Sequence, residues 1–486
     1  MNTGTTEDIN FKERPDIKRA PIMIALIIGA FFAILNETLL NVALTKLMEE
    51  FQVGEATIQW LSTGFMLVVG ILIPVSALLI SWFTTRQMFI GAMVLFTIGT
   101  VISGFAPNFT TLLIGRLIQA SGTGLLLPIM MNTILVLYPP EKRGAAMGTM
   151  GLVIMFAPAL GPTLSGVILE ALNWRWLFFT VIPFALFSII FAFIFLKNVT
   201  DVTKPKVDIL SILLSTLGFG GIVFGFSSAG EGTGGWANPE VYGTIIVGVV
   251  SLILFVWKQL KMDEPMLDVR AFKSPMFSIT TILLIIVMMS MFSTMILIPM
   301  FLQGAMALTA FAAGLALLPG GLLNGLMSPL MGRLFDKFGP KYLVRPGAAL
   351  LVIVLFLFTT ITTTTPVYLF VIYHCLLMVA ISMIMMPAQT NGLNELPRKY
   401  YPHGTAILNT LQQVAGAIGV ALFISIMSNG RSNYLIDNVT GEPTLNDFAM
   451  SLTAGVQAAF KIGLIFAIVA LILTFFIKRT TEPKDI

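Results

Sequence analysis

Of the 24 acidic residues in this 486-residue chain, Glu37 alone lies well inside an apolar stretch, FFAILNETLLNVAL. A carboxylate at that depth is costly when charged and unpaired, so it must be protonated, paired or open to a wet cavity. One basic residue, Arg116 in LLIGRLIQASGTGLLLP, is enclosed in the same way. If the first helix runs outward to Leu44 and the fourth inward from Thr111, about 1.5 Å per residue places Glu37 about 10 Å and Arg116 about 8 Å below the same surface. A neighbouring arginine favours the ionised carboxylate, whereas burial favours the neutral one. Separating or wetting the pair would therefore load or release a proton near the working pH. That is the requirement for a proton-coupling site. A permanent structural bridge between the two helices accounts for the same residues and would be expensive to break.

The elements that hold these side chains are dictated by composition. With 56% hydrophobic and 11% charged residues, the surface is too apolar for water, and lipid is the expected solvent. Runs of helix length recur at about 21–45, 57–80, 87–106, 111–137, 144–169, 174–196, 208–229, 240–260, 274–303, 311–331, 342–361, 366–388, 404–428 and 455–477, each long enough to cross a bilayer. The chain reads as an all-α polytopic membrane protein with 14 transmembrane helices. An even number of crossings puts both termini on one side. Every Lys and Arg except Lys46, Arg116, Arg175, Arg431 and Lys461 then falls on that side, which predicts cytoplasmic termini and a multi-pass inner (cytoplasmic) membrane protein.

Other chemistries are poorly provided for. One cysteine and two histidines leave too few soft ligands for a disulfide framework or a metal site, so no cofactor is expected and none of the site residues is a metal ligand. The dispersed basic residues form no stripe for nucleic acid. No helix pairs a nucleophile with a histidine, and the loops are short, which argues against an enzyme. The polar first twenty residues lack a signal-peptide core, so the first helix is expected to insert and stay.

The chain also echoes itself. ISWFTTRQ at 80–87 and GRLFDKFGPK at 332–341 each join the second and third helix of a six-helix group. This predicts an N-terminal six-helix bundle at 1–200, a two-helix insert at 201–262 and a C-terminal six-helix bundle at 263–486, as in transporters built from two related halves around a midplane site. In the fifth helix, GLVIMFAPALGPTLSG carries Pro158, Gly161, Pro162 and Gly166, a kinked, closely packed contact that reads as a pivot or as ordinary small-residue packing. Asn36, Asn41, Gln59 and Gln303 are candidate substrate contacts, although interhelical hydrogen bonds explain them equally well. The 28 Met and 38 Phe suit pliable walls for varied apolar ligands, and equally suit lipid contact.

Taken in order, LNETLLNVAL, LLIGRLIQASGTGLLLP, APALGPTLSG, NWRWLFFTVIPF, FLQGAMALTAFAAGLALLPGG and TAILNTLQQVAGAIGVAL resemble the major facilitator superfamily, specifically its fourteen-helix drug:proton antiporter branch in the glutamate-containing, lincomycin-resistance-type form. The resemblance covers nearly the whole chain and implies a major facilitator fold of two six-helix bundles plus two additional helices. It also implies proton transfer involving Arg116, and gating by the loops that hold Arg86, Gly332, Asp336, Lys337 and Gly339. The first of those loops departs from the pattern: it keeps Arg86 but has Ser81 where an acid is usual. The implied function is a proton-coupled antiporter, a secondary active transporter rather than an enzyme. It would export drug-like, apolar or cationic compounds from the cytoplasm or inner leaflet by alternating access, driven by the proton gradient and working as a monomer in the lipid bilayer. A dedicated cargo, such as a metabolite, amino acid or lipid, is the alternative.

Overall fold

In the computed structural model, the described residues are 19–480 apart from 54, 200, 201, 204–206, 232–234, 440 and 441. The side chains of Asn41, Gln59 and Pro162 lie outside what is described.

The described chain is helical and has no strand. Long apolar runs become helices because lipid offers no partner for a backbone N–H or C=O, and a helix satisfies both internally. In order they are α1 (Arg19–Phe51), α2 (Glu55–Trp82), α3 (Thr85–Gly104), α4 (Phe109–Leu137), α5 (Pro140–Ala171), α6 (Trp176–Phe195), α7 (Ile209–Glu231), α8 (Pro239–Lys261), α9 (Pro275–Gly304), α10 (Ala310–Phe338), α11 (Lys341–Phe358), α12 (Val367–Asn394), α13 (Tyr401–Asn438) and α14 (Leu445–Phe475). Among the described residues, 13 are long and apolar enough to span a membrane outright, and α5 makes 14 when its two segments count as one span. Those segments, Pro140–Pro158 and Thr163–Ala171, meet at 41°.

Several helices outrun their apolar cores. The hydropathy pattern ends one span near 331, yet α10 continues to Phe338. Another is expected from 455, yet α14 starts at Leu445. Polar residues can prolong a helix into water, so the actual ends are set by capping rather than by hydrophobicity. At the α10 terminus Gly339 adopts φ 79° and donates its N–H to Phe335 C=O at 2.7 Å, a positive-φ backbone that suits glycine. Thr444 and Asp447 form a capping box at the start of α14.

The ends of the helices gather at two faces. We call the face that carries Arg19 the base. There Arg19 lies over Tyr138, Arg143 bonds both Tyr138 C=O and Asn394, and Asn391 bonds Thr480, so both ends of the described chain lie at this face. In the first group of six helices, α4 packs on α1, α2 and α3. In the second, α9 packs on α12, α13 and α14. The groups meet most extensively along α5 and α10, and again where α2 meets α13. The α7–α8 pair leans on that second junction, with α7 touching both α2 and α13. Phe224 lies 5.6 Å from the Trp60 ring, and Trp236 just beyond α7 donates its indole N–H to Ser425 of α13.

Candidate functional site

In the first group, five helices converge on Arg116. It is 1% exposed, and its Nη1 donates to Gln119 Oε1 at 2.6 Å and to Asn36 Oδ1 at 3.4 Å. Gln119 in turn donates from Nε2 to Asn36 Oδ1 at 2.7 Å and to Thr100 Oγ1 at 2.8 Å. Asn36 Nδ2 donates to Leu177 C=O at 3.1 Å. The Phe65 ring closes the cluster with its centroid 4.2 Å from the guanidinium carbon. The cluster joins α1, α2, α3, α4 and α6. A buried cation is tolerated because its donors meet neutral acceptors and an aromatic face. The buried Nε of Arg116 has no hydrogen-bond partner.

Glu37 follows Asn36 in α1 but is only partly buried. It is near enough for its charge to act on Arg116 through space. The ion pairs found among the described residues are Arg175–Glu50, Lys258–Asp208 and Arg270–Asp268, so Glu37 and Arg116 share a neighbourhood without direct contact. Asn36, a candidate substrate contact, is 1% exposed here and occupied by the network. Gln303, another candidate, is exposed at the far end of α9. Asn41 and Gln59 lie outside the described side chains.

Helix α5 reaches this site from the other side. A Cβ on Gly161 would meet Thr38 Oγ1 at 2.2 Å, so only glycine allows α5 so close to α1, one residue from Glu37. Ser165 Oγ donates to Leu39 C=O at 2.7 Å and Lys46 Nζ to Leu169 C=O at 2.9 Å, which extends the seam. Gly166 faces open space, and Pro158 is partly buried beside the bend. Pro162 lies in the bend, its side chain outside those described.

Toward the base, the same helix forms the junction between the groups. A Cβ on Gly332 would lie 2.0 Å from Gly144 C=O, so the backbones of α5 and α10 touch. Asp336 accepts from Gly144 N–H at 2.8 Å and Ala145 N–H at 2.9 Å, one carboxylate oxygen to each. Arg479 donates to Asp336 C=O at 2.9 Å, and Lys337 is exposed beside Phe338. Arg86 lies elsewhere. Its guanidinium donates to Phe193 C=O and covers the Phe193 ring, and its backbone N–H donates to Asn198 Oδ1 at 3.4 Å, contacts that stay within the first group.

Sequence reasoning did not single out Gln119, Thr100 or Phe65. Gln119 was within reach, since it sits three residues from Arg116 on the same helical face. Thr100 and Phe65 belong to other helices, and no spacing within the chain reports how those helices are rotated.

The comparisons agree with this architecture. The family model described as Major Facilitator Superfamily matches residues 26–420. The chain is 56% identical to the lincomycin resistance protein LmrB of Bacillus subtilis (strain 168), over 96% of this chain and 98% of that one. It is 53% identical to the lincomycin resistance protein LmrB of Listeria monocytogenes, over 95% and 98%. Among solved structures, the human organic anion transporter MFSD10 has a similar fold, with a TM-score of 0.65 at 13% identity over 94% of this chain and 99% of that one. A bundle of helices whose two groups meet along α5 and α10, matched through most of its length by one family model and by near full-length relatives, identifies the chain as a multi-pass membrane transporter belonging to the Major Facilitator Superfamily.

Proposed function

We propose that this protein is a proton-coupled antiporter that exports drug-like, apolar or cationic compounds across the cytoplasmic membrane, with its base facing the cytoplasm. The observation that carries the reading is the reach of α5. It touches α1 at Thr38, beside Glu37, and closes the junction between the two halves at Gly144, Gly332 and Asp336. The names of the nearly full-length relatives, which are lincomycin resistance proteins, support the substrate class.

In this reading Glu37 is the proton carrier. When ionised it is drawn toward Arg116, whose unpartnered Nε–H can receive a carboxylate. Protonation from the outside removes that attraction, and α1 shifts against Gly161. The bent α5 transmits the shift to the base, where its contact with α10 must part before the cavity can open to the cytoplasm. Proton and cargo each weaken the other's binding, and by linkage the effect is reciprocal. No cofactor takes part.

The test is uptake of a fluorescent cationic dye, and of lincomycin, into everted vesicles with and without a pH gradient, comparing the parent with Glu37→Gln. Gradient-driven uptake is expected in the parent and is lost in the variant, while dye binding persists. Equal uptake by both proteins would remove Glu37 from the coupling mechanism.

A further inference from the structure

The two halves carry corresponding loops, but only one of them supplies an acid to the junction. Asp336 belongs to the connection between the second and third helices of the second group, and it seats on α5, the fifth helix of the first. The reciprocal contact would join the α2–α3 connection to α13, the fifth helix of the second group. The sequences correspond there as well. Arg143, Gly144 and Ala145 near the start of α5 match His403, Gly404 and Thr405 near the start of α13. Yet the first loop has Ser81, whose hydroxyl turns back to Ala77 C=O at 3.1 Å. Among the described residues no carboxylate of the first loop docks there, and a cavity of about 920 Å³ is bounded by Ser81, Asn132, Arg143 and the Tyr401–His403 start of α13.

The walls of this cavity favour an anion. Arg19 and the exposed Lys399 line it, with the Arg19 guanidinium carbon 5.6 Å from the Tyr138 ring centroid. Asn132 lines it too, only 2% exposed, and its Oδ1 has no hydrogen-bond partner. A half-turn of the amide about its terminal bond presents its NH₂ to the cavity as a donor. A buried amide oxygen left without a partner is costly and implies a polar occupant. Among the described residues the basic groups outnumber the acids: Arg19, Arg143, Arg270, Arg398 and Lys399 line the cavity against Asp263, Glu264 and Asp268, and Asp268 is engaged with Arg270 through the backbone N–H at 2.9 Å and the guanidinium at 3.7 Å.

We propose that this cavity binds a phosphate group, carried by an anionic lipid or free in solution, which takes the place of the absent first-loop carboxylate and ties the first half to α13. A ligand held by both halves stabilises the arrangement in which they touch, so the bound anion favours the base-closed state. The structure therefore has one built-in latch, Asp336, and one that is filled from outside.

The experiment uses the full-length protein in phosphate-free maltoside detergent. Binding of inorganic phosphate, of short-chain phosphatidylglycerol and of uncharged diacylglycerol is measured by native mass spectrometry. The parent is compared with Ser81→Asp and with Arg19→Ala combined with Lys399→Ala. Saturable binding of phosphatidylglycerol alone identifies a lipid headgroup, and saturable binding of phosphate identifies a soluble source. Either supports the proposal when it weakens about tenfold or more in both variants, the scale expected on losing charge-assisted hydrogen bonds. If the double variant does not fold, Ser81→Asp carries the test alone, because it restores a carboxylate without removing a cation. The proposal fails if neither anion binds saturably, if diacylglycerol binds as well as phosphatidylglycerol, or if binding is unchanged in Ser81→Asp.

Discussion

At the scale of single residues, the stability of variants separates a coupling carboxylate from a structural one. A buried bridge is strongly destabilised when one partner is removed, by about 3–5 kcal/mol. Glu37 makes no such bridge here, being partly buried and outside ion-pair distance of Arg116. Glu37→Gln is therefore expected to leave the melting temperature of the purified protein unchanged or raised, although it stops gradient-driven export. A large fall in melting temperature would restore the structural bridge. Arg116 behaves in the opposite way, since its guanidinium serves Gln119, Asn36 and the Phe65 face at once. Lysine is a point charge without the planar fork, so Arg116→Lys is expected to cost about 1–3 kcal/mol, read as a lower melting temperature.

At the scale of elements, α5 is the helix on which the two halves depend. Its glycines are not equivalent: Gly161 is filled by Thr38 at 2.2 Å, whereas Gly166 meets nothing within 4 Å. Gly161→Leu is expected to push α5 off α1 and abolish dye transport. Gly166→Leu should transport at nearly the parent rate. Parallel transport assays at matched expression test the pair, and equal loss in both would mean that the small residues act through helix flexibility rather than through the α1 contact. Hydropathy alone could not separate these two positions, because both sit in one stretch of small residues and only the rotation of α5 decides which of them meets a neighbour.

At the scale of the whole molecule, Asp336 accepts two backbone N–H groups from the opposite half at the base. Asp336→Asn keeps the shape but removes the charge that strengthens both bonds, so the closed base should lose about 1–3 kcal/mol relative to the open one. Ser328 lies in the same seam, where a Cβ on Gly151 would meet its Oγ at 2.2 Å. In a Cys375→Ser background, Ser328→Cys is expected to react several-fold faster with an impermeant maleimide added at the base when Asp336→Asn is also present. Equal labelling rates would show that this carboxylate does not hold the seam.

Much of the architecture was legible in the chain itself. Lipid forbids an unsatisfied backbone, so each long apolar run had to be a helix. The rarity of ionisable residues within those runs marked Glu37 and Arg116, and the repeated loop pattern marked Asp336. What the chain could not convey was which side chains meet across helices. That depends on the rotation and relative depth of each helix, and these are decided by packing. Only the tertiary structure turns Arg116 toward Gln119 and Asn36, leaves Glu37 beside the network rather than inside it, and keeps Arg86 within its own half. It also sets Asp336 on the opposite half while the corresponding place beside Ser81 is a cavity. The helices follow from the local requirement to satisfy the backbone, whereas the site follows from how fourteen such helices fit together.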